Sequence, residues 1–216
     1  MAELRPVALP PAERTVGQLV AETIRFYGDH FWAVLGLGLA PATLAVVGAN
    51  VSRGTSIVLA PTLYGALLSA SFVGACVLVL RRRPPNRRLL VAWLAGWLVF
   101  APVPFLVLGF IVPGLAWLAA FGLVVPVLVV EDARPRGAVV RAWRLARADF
   151  VHAFGSLAAL GIVVFLCQAV LAFILRGFGG AAVSTAFFLA NVVVSPLLFV
   201  GAALLYVDQA ARAEVE

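Results

Sequence analysis

The chain has 216 residues, of which 63% are hydrophobic and 12% charged, with a net charge of +6 and a mean hydropathy of +1.07. A soluble domain carries about 25% charged residues, so this composition excludes one and points to a polytopic protein whose solvent is a bilayer. The sixteen basic residues are all Arg and sit at the ends of apolar runs. The positive-inside rule places them there, and no basic stretch lies on a soluble domain that could track phosphates, which argues against a nucleic-acid partner.

Residues 1–14 are polar and Pro-rich without a signal-peptide core, so they read as a disordered tail before an uncleaved first anchor. Residues 15–29 form an amphipathic helix. Val16, Leu19, Val20, Thr23 and Tyr27 share one face, Gln18, Glu22, Arg25 and Asp29 the other, and Thr15 with Gln18 starts it as a capping box. A first span is expected over 31–50 and a second over 57–80. The second carries a small-residue stripe, Ala66, Ala70 and Gly74 beside Gly65 and Ser69, that suits helix packing.

Arg81, Arg82, Arg83, Arg87 and Arg88 follow, and then 42 residues pass without a charge before Glu131. A single helix of that length would be about 63 Å long, twice the hydrocarbon thickness. The run must fold back, and Pro113-Gly114 is the expected turn, giving spans over 91–111 and 115–130. Residues 134–149 form a second amphipathic helix, with Val139, Ala142, Trp143, Ala146 and Phe150 opposite Arg141 and Arg144. Such a helix suits the headgroup layer; the alternative is a cytoplasmic extension of the next span. Further spans are expected over 152–175 and 182–206, with a cytoplasmic tail over 207–216. The fold class is therefore all-α: a single membrane domain of six transmembrane helices with two interfacial helices. At an offset of 119 residues Arg25, Phe31 and Gly36 match Arg144, Phe150 and Gly155, which suggests a parallel repeat.

Threaded this way, 14 of 16 arginines and all ten acidic residues fall on one side, leaving Arg53 and Arg176 on the other. Both termini are expected in the cytoplasm of a bacterial plasma membrane. The outer loops are too short for a ligand-binding domain.

Chemistry-bearing residues are few. His30 and His152 lack a second ligand at metal spacing and read as interfacial polar residues; Cys76 and Cys167 lie in separate apolar segments. No nucleophile elbow, Walker loop, H-E-x-x-H or CxxC motif occurs. No catalytic residue, metal ligand or cofactor site is therefore assigned. Within the spans, Gln168 and Asn191 are the candidate polar groups, either as interhelical hydrogen-bonding residues or as the lining of a path, and no ionisable residue is expected at depth. Pro41, Pro61, Pro102, Pro104, Pro126 and Pro196 should kink or break the spans.

The cytoplasmic side is better marked. Arg141, Arg144, Arg147 and Trp143 form a candidate face for anionic headgroups or a partner. Glu131-Asp132, Tyr206, Asp208, Arg212 and Glu214 form a candidate latch, in which Glu131 or Asp208 would pair with the Arg-rich helix.

At these residues the chain resembles the membrane domain of glycerophosphoryl diester phosphodiesterases and its free-standing relatives. Pro113-Gly114, Pro126 and Glu131 precede Ala138, Arg141, Trp143 and Leu145 in the family's order; Pro196, Tyr206, Asp208, Arg212 and Glu214 match its closing motif, and Thr15 and Gly17 its start. Ala142, Ala148 and Ala210 depart from the family's Ser, Gly and Arg. The catalytic barrel and its H-R-G signature are absent from this sequence, so the resemblance implies a membrane module without enzymatic activity. The expected function is a scaffold or lipid-contacting accessory module, with membrane lipids as partners and a further membrane protein or a second copy as other candidates. The alternative is a small transporter or lipid translocator lined by Pro-kinked helices.

Overall fold

The computed structural model describes residues 10–131, 133–175 and 180–214, and these are helical nearly throughout, with no strand among them. Residues 1–9, Asp132 and Arg176 lie outside the described residues. A 3-10 turn, Pro11–Glu13, leads into α1 (Val16–Asp29). Six stretches are long and apolar enough to cross a membrane: Phe31–Gly48, Gly54–Leu80, Asn86–Val107, Ile111–Val130, Phe150–Leu171 and Phe187–Arg212. The protein is an all-α, multi-pass membrane bundle.

Most spans are interrupted where Gly or Pro breaks the helical ladder. The first is α2 (Phe31–Leu35) and α3 (Leu39–Asn50), separated by a 3-10 turn at Gly36–Gly38. The second is α4 (Arg53–Leu59) and α5 (Gly65–Leu80), joined by a π-helical turn at Ala60–Tyr64 that contains Pro61. The third is α6 (Asn86–Phe100) and α7 (Val103–Gly109), broken at Ala101-Pro102. The fourth is α8 (Ile111–Phe121) and α9 (Val124–Val130). After α10 (Pro135–Ala148) the fifth span is one helix, α11 (Phe150–Leu175), and the sixth is α12 (Gly180–Val194) and α13 (Pro196–Arg212), split before Pro196.

Three sequence expectations are corrected. The reversal between the third and fourth spans falls at Gly109-Phe110, where Phe110 is extended, rather than at Pro113-Gly114. Pro113 instead sits in the first turn of α8, where its missing N–H has no helical partner to lose. Gly114 lets α8 approach α7, since a Cβ there would lie 2.6 Å from Val107. Residues 10–14 are not a loose tail: the Pro11–Glu13 turn packs on α13. The segment 207–212 is likewise not a tail, because α13 runs to Arg212.

Interrupted spans leave carbonyls without ladder partners, and lipid cannot satisfy them. Tryptophan indoles do so here. In the π turn the N–H of Gly65 bonds to Ala60 and Thr62 and skips Pro61, and the Pro61 carbonyl accepts from Trp97 Nε1 at 2.7 Å. Trp117 Nε1 likewise donates to the Val99 carbonyl before the Ala101-Pro102 break, while Trp93 Nε1 donates to the Ala66 carbonyl inside α5 and ties α6 to it, both at 2.8 Å. Before Pro196 the Val193 carbonyl accepts from the Tyr27 hydroxyl at 2.7 Å, and burial pushes the Tyr27 phenol above its ordinary range.

The small-residue stripe of the second span packs inside the bundle. Ser69 Oγ donates to the Trp93 carbonyl at 2.6 Å, and a Cβ on Gly65 or Gly74 would lie 2.9 Å from Trp97 or Leu37. Ala70 alone faces outward. Two apolar cores result. One joins Phe72 of α5, Val125 and Leu128 of α9, Leu145 of α10 and Phe199 of α13. The other joins Leu19 of α1, Ala119 of α8, Leu157 and Leu160 of α11 and Leu205 of α13. Helix α13 is the wall between them.

The two 14-residue amphipathic helices coincide at the 119-residue offset, and each is followed by a span after one intervening residue. Their packing differs: α1 lies on α11 and α13, whereas α10 lies on α8, α9 and α13. A two-fold parallel repeat would instead set α10 against the first two spans.

Candidate functional site: the arginine-rich end of the bundle

Four chain segments distant in sequence meet at one end: the turn before α1, the end of α9, the α10–α11 junction and the end of α13. Asp208, at the end of α13, lies between the turn before α1 and the start of α11. Its side chain is 0% exposed, and Oδ1 accepts from Arg14 Nη1 at 2.7 Å, with Arg14 14% exposed. On its other side Asp208 Oδ2 lies 3.6 Å from Nε2 of buried His152. Arg212 Nη2 donates to the Arg14 carbonyl at 2.7 Å, and Arg212 Nη1 pairs with Asp149 Oδ2 at 2.8 Å.

Asp149 also caps α11. It breaks the helix after Ala148, its Oδ1 accepts from the His152 N–H at 2.8 Å, and its carbonyl accepts from Gln209 Nε2 at 2.9 Å. The Arg-rich helix α10 is thus a separate element and not the start of the fifth span. Beside this network, Glu131 Oε1 accepts from Arg141 Nε at 3.3 Å and from the Tyr206 hydroxyl at 3.0 Å.

Of the proposed latch residues, Glu131 and Tyr206 therefore meet the Arg-rich helix through Arg141. Asp208 does not; its cation is Arg14. Arg212 turns to Asp149, and Glu214 is exposed with no ion pair among the described residues. Asp208 and His152 are buried near the ends of the sixth and fifth spanning windows, at this same end of the bundle and not at depth. His30 sits as a half-buried ring stacked on Phe26. Arg14, Asp149 and Gln209 were missed by sequence reasoning. An Asp just before an apolar run is a helix-start signal that could have found Asp149; nothing local marks Arg14 as the partner of a residue 194 positions away.

Arg141, Trp143, Arg144, Arg147, Ala148 and Ala213 line a groove of about 470 Å³. Arg144 and Arg147 are exposed and have no acidic partner among the described residues. The buried face of α10 is Ala138, Ala142, Leu145 and Ala146, and Val139, Trp143 and Phe150, expected on the same apolar face as Ala142 and Ala146, form its exposed edge. Trp143 remains 44% exposed while stacking on Phe121 at 5.8 Å. A second groove of about 230 Å³, lined by Arg87, Arg88, Val91, Leu128, Ala133 and Pro135, sets the 81–88 loop at this same end.

Gln168 and Asn191 are far along the spans and meet each other. Gln168 Nε2 donates to Asn191 Oδ1 at 3.0 Å, and Asn191 Nδ2 donates to the Phe187 carbonyl at 2.8 Å. This joins α11 to α12 as an interhelical tie. No group of three metal-ligating side chains occurs among the described residues.

Fold and site together define a polytopic helical membrane protein with a charged, internally paired end. No family model, no curated protein and no solved structure matches the chain.

Proposed function

We propose that this protein is a non-enzymatic membrane module that holds anionic lipid headgroups at its arginine-rich end. The observation that carries the reading is the pair Arg144 and Arg147, exposed and without acidic partners among the described residues, on a groove beside Trp143. A paired arginine stabilises the fold; an unpaired one beside an exposed apolar edge suits the boundary where phosphates and acyl chains meet. The positive-inside rule then sets this end, and both termini, in the cytoplasm, with a bacterial plasma membrane as the host. We also propose membership of the free-standing branch of the phosphodiesterase membrane-domain family. The residues behind that resemblance, Glu131, Arg141, Tyr206, Asp208 and Arg212, cluster at this end.

Native mass spectrometry of the protein in native-lipid nanodiscs tests the reading. Wild type should retain anionic lipid, and Arg144→Gln with Arg147→Gln should lose it while staying folded, more so at raised salt. Arg141 is left intact because it pairs with Glu131. Equal retention by the variant would sink the proposal, and a co-purifying protein would redirect it to a scaffold. The alternative reading, a transporter or lipid translocator, draws on the Pro-interrupted spans. It needs a polar path near the midplane, and Asn191 is buried in its bond to Gln168.

A further inference from the structure

Between the two apolar cores lies a cavity of about 290 Å³. Phe72 and Phe199 bound it from one core, Leu118 and Leu157 from the other, with Gly161 on α11. Its single polar side chain among the described lining residues is Ser195, whose hydroxyl is already donated to the Asn191 carbonyl. Water there would lack the two to four polar partners it needs, although the volume is that of about ten waters. The space is partly open and not a sealed void, and the surrounding solvent is hydrocarbon.

Gly161 indicates that the space is kept open. Most glycines within the other spans are explained by close approach: a Cβ on Gly65, Gly74 or Gly114 would lie 2.9, 2.9 or 2.6 Å from a neighbour. A Cβ on Gly161 meets nothing within 4 Å. Mid-helix glycine is destabilising relative to alanine, and no packing demand offsets that here. What the missing side chain preserves is room in the cavity wall.

We propose that this cavity binds one aliphatic chain of a membrane lipid, with Gly161 as the residue that admits it. The site rests on the membrane placement of the spans and not on the arginine groove. A zwitterionic probe keeps the two separable: the full chain is placed in nanodiscs of phosphatidylcholine carrying a trace of phosphatidylcholine with a mid-chain diazirine, irradiated, and mapped residue by residue. Label is expected on Phe72 and Leu118, diminished by excess unlabelled lipid. Gly161→Leu should abolish it and leave label on the outward-facing Phe165 and Phe173 intact. Ala202→Leu fills the cavity from α13 and should give the same loss, so the test stands if one variant does not fold. No label on Phe72 or Leu118 in wild type, or label that persists in a folded filled variant, overturns the proposal.

Discussion

Asp208 shows how much a single side chain decides here. A carboxylate with 0% exposure survives only when paired, and Arg14 supplies the pair at 2.7 Å. Removing one partner of a buried pair strands the other charge. Asp208→Asn should therefore cost about 3–5 kcal/mol, read as a lowered thermal midpoint in detergent. Adding Arg14→Gln should recover part of that loss, because the stranded charge is gone; a double variant as unstable as the sum of both singles would refute the pairing. Tyr206 makes a lesser contribution. Its hydroxyl bonds to half-exposed Glu131, so Tyr206→Phe should cost about 1 kcal/mol, measured the same way. Sequence could mark Asp208 and Tyr206 as notable because acids at a membrane exit are not required by charge bias. It could not name Arg14, whose partner is brought in by the whole fold.

Helix breaks are coupled to their neighbours at the level of elements. Pro61 creates a π turn in the second span, and the third span answers with Trp97. Trp97→Phe keeps most of the apolar volume but leaves a carbonyl unsatisfied in hydrocarbon, at a cost of about 1–3 kcal/mol. Unchanged unfolding of that variant would show the indole bond to be dispensable. The α10–α11 junction is a second such coupling. Asp149 caps α11, accepts Arg212 and bonds Gln209, so Asp149→Ala should cost about 1–2 kcal/mol for the cap alone and more with the ion pair lost. Amide exchange should rise first in the opening turn of α11 and the end of α13; exchange confined to α11 would argue against the tie to Arg212. Element existence was legible from charge-free runs and face periodicity, as in α1, where Leu19 and Thr23 are buried as the pattern requires. The turn at Phe110 was not, because proline is as acceptable in a first helical turn as in a loop, and only packing of α8 on α7 separates the two.

For the whole molecule, the threading makes a prediction independent of any ligand. Cysteines placed singly at Arg82 and Glu214 should be labelled from the cytoplasmic side by a membrane-impermeant reagent, and one at Ser52 only from the outside. Labelling of Arg82 and Glu214 from opposite sides would overturn the even number of spans. The sequence by itself determined that a bilayer is the solvent, that about six helices cross it, and which end carries the arginines. Those follow from transfer free energies, which act on each segment separately. Only the tertiary structure decided that Arg14 closes on Asp208, that Arg141 pairs with Glu131 while Arg144 and Arg147 have no acidic partner among the described residues, and that α13 parts two cores with a cavity between them. Those depend on which faces meet, and in lipid helix association is driven by close packing and hydrogen bonds between particular side chains, whose pairing no local pattern encodes.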